Sequence, residues 1–195
     1  MQKSKWITVL LLWVAGASLS AKAAPSAAEP SLDAQRERQA IQSLLKVVEK
    51  QIISAVDAMP ADKFGFAPSD GEFKDVRTFG QMAKHFSATN HILAAAALGE
   101  ERPGDAGDEL GPEDVRTKAE IVAYVKGSFL HLDKAVNAIG RTDIPVTASP
   151  ISPLKGGEVT RMALITEALI HAYDHYGQMV EYLRMNGVVP PASRP

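Results

Sequence analysis

Between Leu32 and Met59, apolar residues at Ile41, Leu44, Leu45, Val48, Ile52, Ala55 and Met59 recur at three- and four-residue steps, the period of a helix with one buried face. Pro60 ends it, because proline has no N–H to continue the ladder. Residues 60–77 are irregular, with Pro68-Ser69-Asp70-Gly71 as a turn signal. Thr78 with Gln81 three residues on predicts a capping box, opening a second helix that runs through His85 to Leu98 and stops at Gly99. The following EERPGDAGDELGPEDVR is polar and rich in Gly and Pro, a surface loop. Thr117 and Glu120 form a second capping box, and Val122, Val125, Phe129, Leu132, Val136 and Ile139 stripe a third helix as far as Gly140. After a connection over 141–157, a fourth helix starts near Thr160 and stops at Gly187, with Pro190 and Pro191 beyond.

Four amphipathic helices, no convincing alternating strand and no internal repeat predict an all-α fold, a four-helix bundle with long connecting loops over residues 31–195. Loops of this length leave room for crossover connections, so strict up-down order is not implied.

Composition narrows the chemistry. The chain of 195 residues has no cysteine, which excludes disulfides and thiolate ligands and leaves His, Asp and Glu to hold any metal. Lys3 and Lys5, the apolar run from Ile7 to Gly16 and the small-residue close Ala21-Lys22-Ala23 form the three-part pattern of a secretory signal peptide over residues 1–23. Cleavage is expected after Ala23, giving an exported protein, periplasmic or secreted, with 24–30 as a solvated leader; retention as an anchor is the alternative. Cleavage would remove Lys3, Lys5 and Lys22 and no acid, taking the formal charge of −2 three units lower. A mildly acidic domain lacks the basic footprint of a nucleic-acid binder. Without its signal peptide it has no expected membrane partner; a homodimer is compatible with a small bundle.

The candidate chemistry lies on the fourth helix. His171 and His175 are four residues apart, on adjacent turns of one face, and so form half of a metal site. A divalent ion of the zinc or nickel type takes at least three protein ligands, so a third must come from a facing helix. His85 on the second helix is the candidate. His91 lies on another face of that helix and is not expected to ligate; His131, with no partner at ligand spacing, reads as solvent-facing or structural. Glu167, Asp174, Gln178 and Tyr182 all fall near His171 on the helical wheel, either as polar partners for the imidazoles or as a hydrated outer face. Zincin-type peptide hydrolysis is not indicated, since Ala172 stands where its glutamate would be.

The segments AMPADKFGFAP, VRTFGQMAKHFSATN, AAALGEERP and above all HAYDHYGQMVEYLRMNGVVPPAS resemble the DinB-like superfamily of metal-binding four-helix bundles, related to bacillithiol- and mycothiol-dependent S-transferases. The resemblance covers most of the mature chain. It implies that one histidine of the second helix and two of the fourth bind a divalent cation, nickel, zinc, iron or manganese, which here are His85, His171 and His175. It also implies a long crossover within the bundle, and for some relatives thiol transfer or thiol-assisted isomerisation of maleylpyruvate. Export departs from that pattern, because free thiol cofactors belong mainly to the cytosol. Two functions follow as expectations. One is a metal-dependent hydrolase or thiol transferase acting on a small molecule or thiol, with Asp174 or Glu167 orienting a ligand or shuttling a proton. The other is a non-catalytic bundle binding a metal or small ligand, involved in stress response.

Overall fold

The computed structural model describes residues 31–106, 109–140, 146–154 and 158–195. The expected signal peptide, its cleavage site and the leader at 24–30 lie outside these residues. Four helices carry the fold: α1 (Leu32–Ala58), α2 (Phe79–Leu98), α3 (Lys118–Asn137) and α4 (Arg161–Met185). Each begins on a hydroxyl cap that satisfies a backbone N–H otherwise left without a partner. Ser31 accepts from Ala34, Thr160 from Ala163, and Thr78 and Thr117 form complete capping boxes with Gln81 and Glu120. Gly99, at φ 71°, closes α2 in the left-handed conformation that glycine adopts without steric cost.

The helices are not arranged in chain order. α2 packs against both α3 and α4, and so does α1, whereas α1 and α2 share no comparable interface and α3 touches α4 lightly. The pairs joined directly by 60–77 and by 138–160 therefore sit on the diagonals of the bundle.

α2 is buried on nearly every side, from Phe79 to Ala97. Its run of alanines lets neighbouring helices approach closely, and its buried polar residues are largely bonded back to helices. Ser87 donates to the Ala83 carbonyl, Thr89 to that of His85, and the Asn90 amide to Ser128 across the α2–α3 seam. From α1 the core takes Ile41, Leu45, Val48, Ile52, Ala55 and Val56. Leu44, expected in that stripe, is 55% exposed. It lines a surface groove with Val47, Ile170 and Tyr173 instead, one helical step away from the buried seam.

Two features were not expected from the sequence. Val146–Thr147 and Glu158–Val159 pair as a two-residue antiparallel ribbon, Val146 opposite Val159, too short for an alternating pattern to be visible. The irregular segment before α2 is stapled to the helix it precedes. Phe79 N–H donates to the Phe66 carbonyl at 2.9 Å and Gly80 N–H to that of Phe64 at 2.8 Å, and a Cβ on Gly80 would stand only 3.2 Å from the Phe64 oxygen. α3 ends at Asn137, slightly before the predicted Gly140, through a final tight turn in which Ala138 and Ile139 bond back to Ala135 and Val136.

Ile52, fully buried, and Leu130, 66% exposed, are both apolar helical residues with opposite expected costs. Ile52→Ala should lower unfolding free energy by about 2–5 kcal/mol through lost burial and a cavity. Leu130→Ala should change it by no more than about 0.5 kcal/mol. Urea unfolding followed by circular dichroism checks both; similar losses at the two positions would contradict the packing described.

Candidate metal centre

α4 supplies two imidazoles by its own geometry, and α2, lying alongside it, supplies a third. His171 and His175 have ring centroids 4.6 Å apart, and His85 lies 5.0 Å from the first and 4.9 Å from the second. One nitrogen from each ring falls within 4.8 Å of the others. Among the described residues this is the one cluster of three His, Cys, Asp or Glu side chains so placed to hold a metal ion. His85 is only 4% exposed and His175 only 8%.

The protonation of His85 is set by a residue that the sequence did not suggest. Its Nδ1 lies 2.7 Å from the backbone carbonyl oxygen of Glu109, an acceptor only, so Nδ1 carries the proton and Nε2 is left with its lone pair. Glu109 sits in the left-handed region at φ 66°, and Gly111 follows at φ 72°. A Cβ on Gly111 would stand 3.3 Å from both Lys84 and Tyr124, so a small residue is needed where the loop crosses α2. That close crossing brings the Glu109 carbonyl to the imidazole.

On α4, the Nε2 atoms of His171 and His175 face each other at 3.2 Å, while both Nδ1 atoms are buried without a hydrogen-bond partner. Two ring nitrogens at that separation share one proton between them or turn their lone pairs toward a common cation. Electrostatics favours neutral rings. Burial first, then the neighbouring His175 and His85, lowers the pKa of His171 to about 4. Burial, then His85 and Arg77, lowers that of His175 to about 4. His85 is also lowered, chiefly by burial and against the pull of the Glu109 carbonyl. Three neutral imidazoles with nitrogen valences to spare fit a borderline divalent ion.

The other polar residues of this face are distributed around the cluster. Glu167 accepts a hydrogen bond from Ser152 at 2.7 Å, and exposed Asp174 accepts one from Gln178 at 2.9 Å. Gln178 stands beside His175 and favours its protonated form. Tyr182 turns its hydroxyl to the Arg77 carbonyl at 3.2 Å, which fixes the backbone just before α2. Two cavities reach the cluster. One of about 690 Å³ is lined by His171, Thr89, Glu109, Glu167 and Asp174. The other, of about 630 Å³, is lined by His175, Arg77, Gln178 and Tyr182 with an apolar wall.

His91 and His131 take no part in the triad. They bond to each other between α2 and α3, Nδ1 to Nδ1 at 3.1 Å, and His131 reaches Glu100 at 3.0 Å through its other nitrogen. His131 thus has a partner, on a different helix, where residue spacing within α3 could not show it.

The fold and this cluster together define a class: an all-α bundle in which two helices that pack together but are not consecutive in the chain bring three histidines to one point. A family model for the DinB superfamily matches residues 44–179, a span that contains all three histidines, and the chain belongs to that superfamily. No curated protein matches it.

The depressed pKa values make a pH-dependent stability. Because His171 and His175 titrate at about 4 when folded against 6.5 when free, the unfolded chain takes up protons first as pH falls. In metal-free protein, stability should be full above about pH 6.5, decline toward about pH 4, and depend no further on this pair below that. Urea midpoints across this window should fall less steeply in a His171→Gln/His175→Gln double variant. An equal slope would mean that the two rings titrate as hydrated histidines.

Proposed function

We propose that this protein holds one divalent cation on His85, His171 and His175 and acts on a small molecule at that centre. The convergence of three neutral imidazoles beside two open cavities is the observation that carries the reading. A structural ion is normally closed off by four protein ligands, whereas three leave a coordination position for a reactant. A zinc-like ion bound there would supply Lewis-acid activation of water or of a polarised carbonyl. The chain's own residues do the rest. Glu109, through its backbone carbonyl, holds His85 in the tautomer with a free Nε2. Glu167 and Asp174, on the wall of the cavity that His171 shares, are placed to accept a proton or orient a bound group.

Hydrolysis, which the open three-imidazole centre suggests, is the reading we favour over the thiol transfer that the superfamily resemblance implies for some relatives. It rests on the export pattern of residues 1–23, which would place the protein in an oxidising compartment poor in free thiol cofactors. A bundle that binds a metal or ligand without turnover is the alternative, and activity decides between them.

Calorimetric titration of chelator-treated protein with nickel, zinc, iron(II) and manganese should give one equivalent bound for at least one of them. His171→Ala, His175→Ala and His85→Ala should each weaken that binding by at least about 100-fold, beyond the loss typical of a residue that only supports a ligand. Equal, negligible uptake by wild type and variants would overturn the ligand assignment. Loaded protein should then cleave activated esters or amides in a chelator-sensitive way; turnover only with a low-molecular-weight thiol would favour the transferase instead.

A further inference from the structure

The cavity on the His175 side has a polar group with a hydrogen-bond donor that neither the fold nor the triad takes up. Arg77 lines it, with its Nε buried and without a hydrogen-bond partner. A guanidinium cannot shed its charge, so a buried N–H of this kind calls for an acceptor. The two carboxylates on the same wall do not provide one. Glu181 is paired with Arg184 at 2.6 Å, and Asp75 is exposed on a left-handed backbone turn at φ 63°. The arginine is held in place from behind. Tyr182 donates to its carbonyl, and the staple of Phe64 and Phe66 to the start of α2 fixes the chain on either side of it. Phe73, Val76, Met82 and Met185 complete the cavity with an apolar surface, and His175 opens it toward the triad.

We propose that this cavity binds a small organic carboxylate, with Arg77 taking the carboxylate group, the apolar wall taking the hydrocarbon body, and the reacting end lying toward His175. One guanidinium matches a singly charged, planar carboxylate in its two-pronged geometry. A phosphate dianion would require further cations, and the described residues of this wall offer none beside two acids. The inference names the ligand class of the site proposed above and so rests on that reading for its chemistry, but the binding step needs no ion and is tested without one.

The probe is 4-phenylbutyrate, titrated into chelator-treated, ¹⁵N-labelled protein while arginine Nε–H and backbone signals are followed by NMR. Saturable shifts of one arginine Nε–H signal and of residues 73–82 are expected. The uncharged 4-phenylbutanamide should bind at least about tenfold more weakly, the loss expected when a charge-assisted hydrogen bond is replaced by a neutral one. Arg77→Gln should remove the preference for the acid over the amide, and Arg77→Lys should restore part of it. If Arg77→Gln fails to fold, Phe73→Ala, at a residue 43% exposed, carries the test: it should weaken acid and amide alike. Equal affinity of acid and amide, an unchanged acid preference in Arg77→Gln, indifference to Phe73→Ala, or displacement by inorganic phosphate at comparable affinity would each overturn the proposal. Carboxylate binding by protein that takes up no metal would leave this inference standing and sink the metal reading; metal uptake without carboxylate binding would do the reverse.

Discussion

Three imidazoles that share one buried seam resist carrying charge. Ring centroids within about 5 Å of one another, in a region from which water is largely excluded, would set like charges against each other with little screening. The cluster is therefore favoured as neutral rings near neutral pH, and a neutral imidazole keeps one nitrogen lone pair free. Acid sensitivity and ligand capacity have the same origin here: the burial that depresses the pKa of His171 and His175 also keeps their rings neutral and so able to take a cation.

The diagonal arrangement makes this seam possible. In a bundle where each helix packed against its chain neighbours, α1 and α3 would flank α2, and α4 would touch it less. Here α2 lies between α3 and α4 and is buried almost all round, so His85 can face α4 while His91 and Asn90 face α3. One helix thus serves two polar seams. In the second, the Asn90 amide donates to Ser128 and His91 pairs with His131, which leans on Glu100, although Asn90 Oδ1 is buried without a partner. The first keeps unpartnered nitrogens at both histidines of α4. The seams differ in what is left over: one amide oxygen in the second, ring nitrogens able to ligate in the first.

What the sequence disclosed and what it concealed follow from the range of the interactions. The capping boxes at Thr78 and Thr117 and the His171–His175 pair depend on residues three or four apart, so spacing reveals them directly. His85 needed a choice among three histidines, because its partners come from a helix some ninety residues away and only the motif around it favoured one. Glu109 was invisible. It acts through a backbone carbonyl that every residue owns, and only the close crossing at Gly111 makes that carbonyl special. Leu44 misled for a related reason: period assigns residues to a face, but the edge of the buried sector is set by where α3 and α4 lie. The ribbon at Val146 and Val159 was below the length at which alternation can register.

Arg77 shows how a loop without regular structure becomes part of a site. The motif around it, VRTFGQMAKHFSATN, points to His85 and gives Arg77 no role, since arginine before a helix cap is an ordinary surface residue. Its position comes from three constraints that meet at the start of α2: the carbonyls of Phe64 and Phe66 tied to the helix's first N–H groups, the Thr78–Gln81 cap, and the Tyr182 hydroxyl on Arg77's own carbonyl. Tyr182 lies on α4, as do His171 and His175, while His85 and the cap lie on α2. The same two helices that set the spacing of the imidazoles therefore also set where the backbone carrying the guanidinium stands relative to them. A shift of α4 along α2 would disturb both together, so the cationic group and the nitrogen cluster form one geometrical unit rather than two neighbouring features.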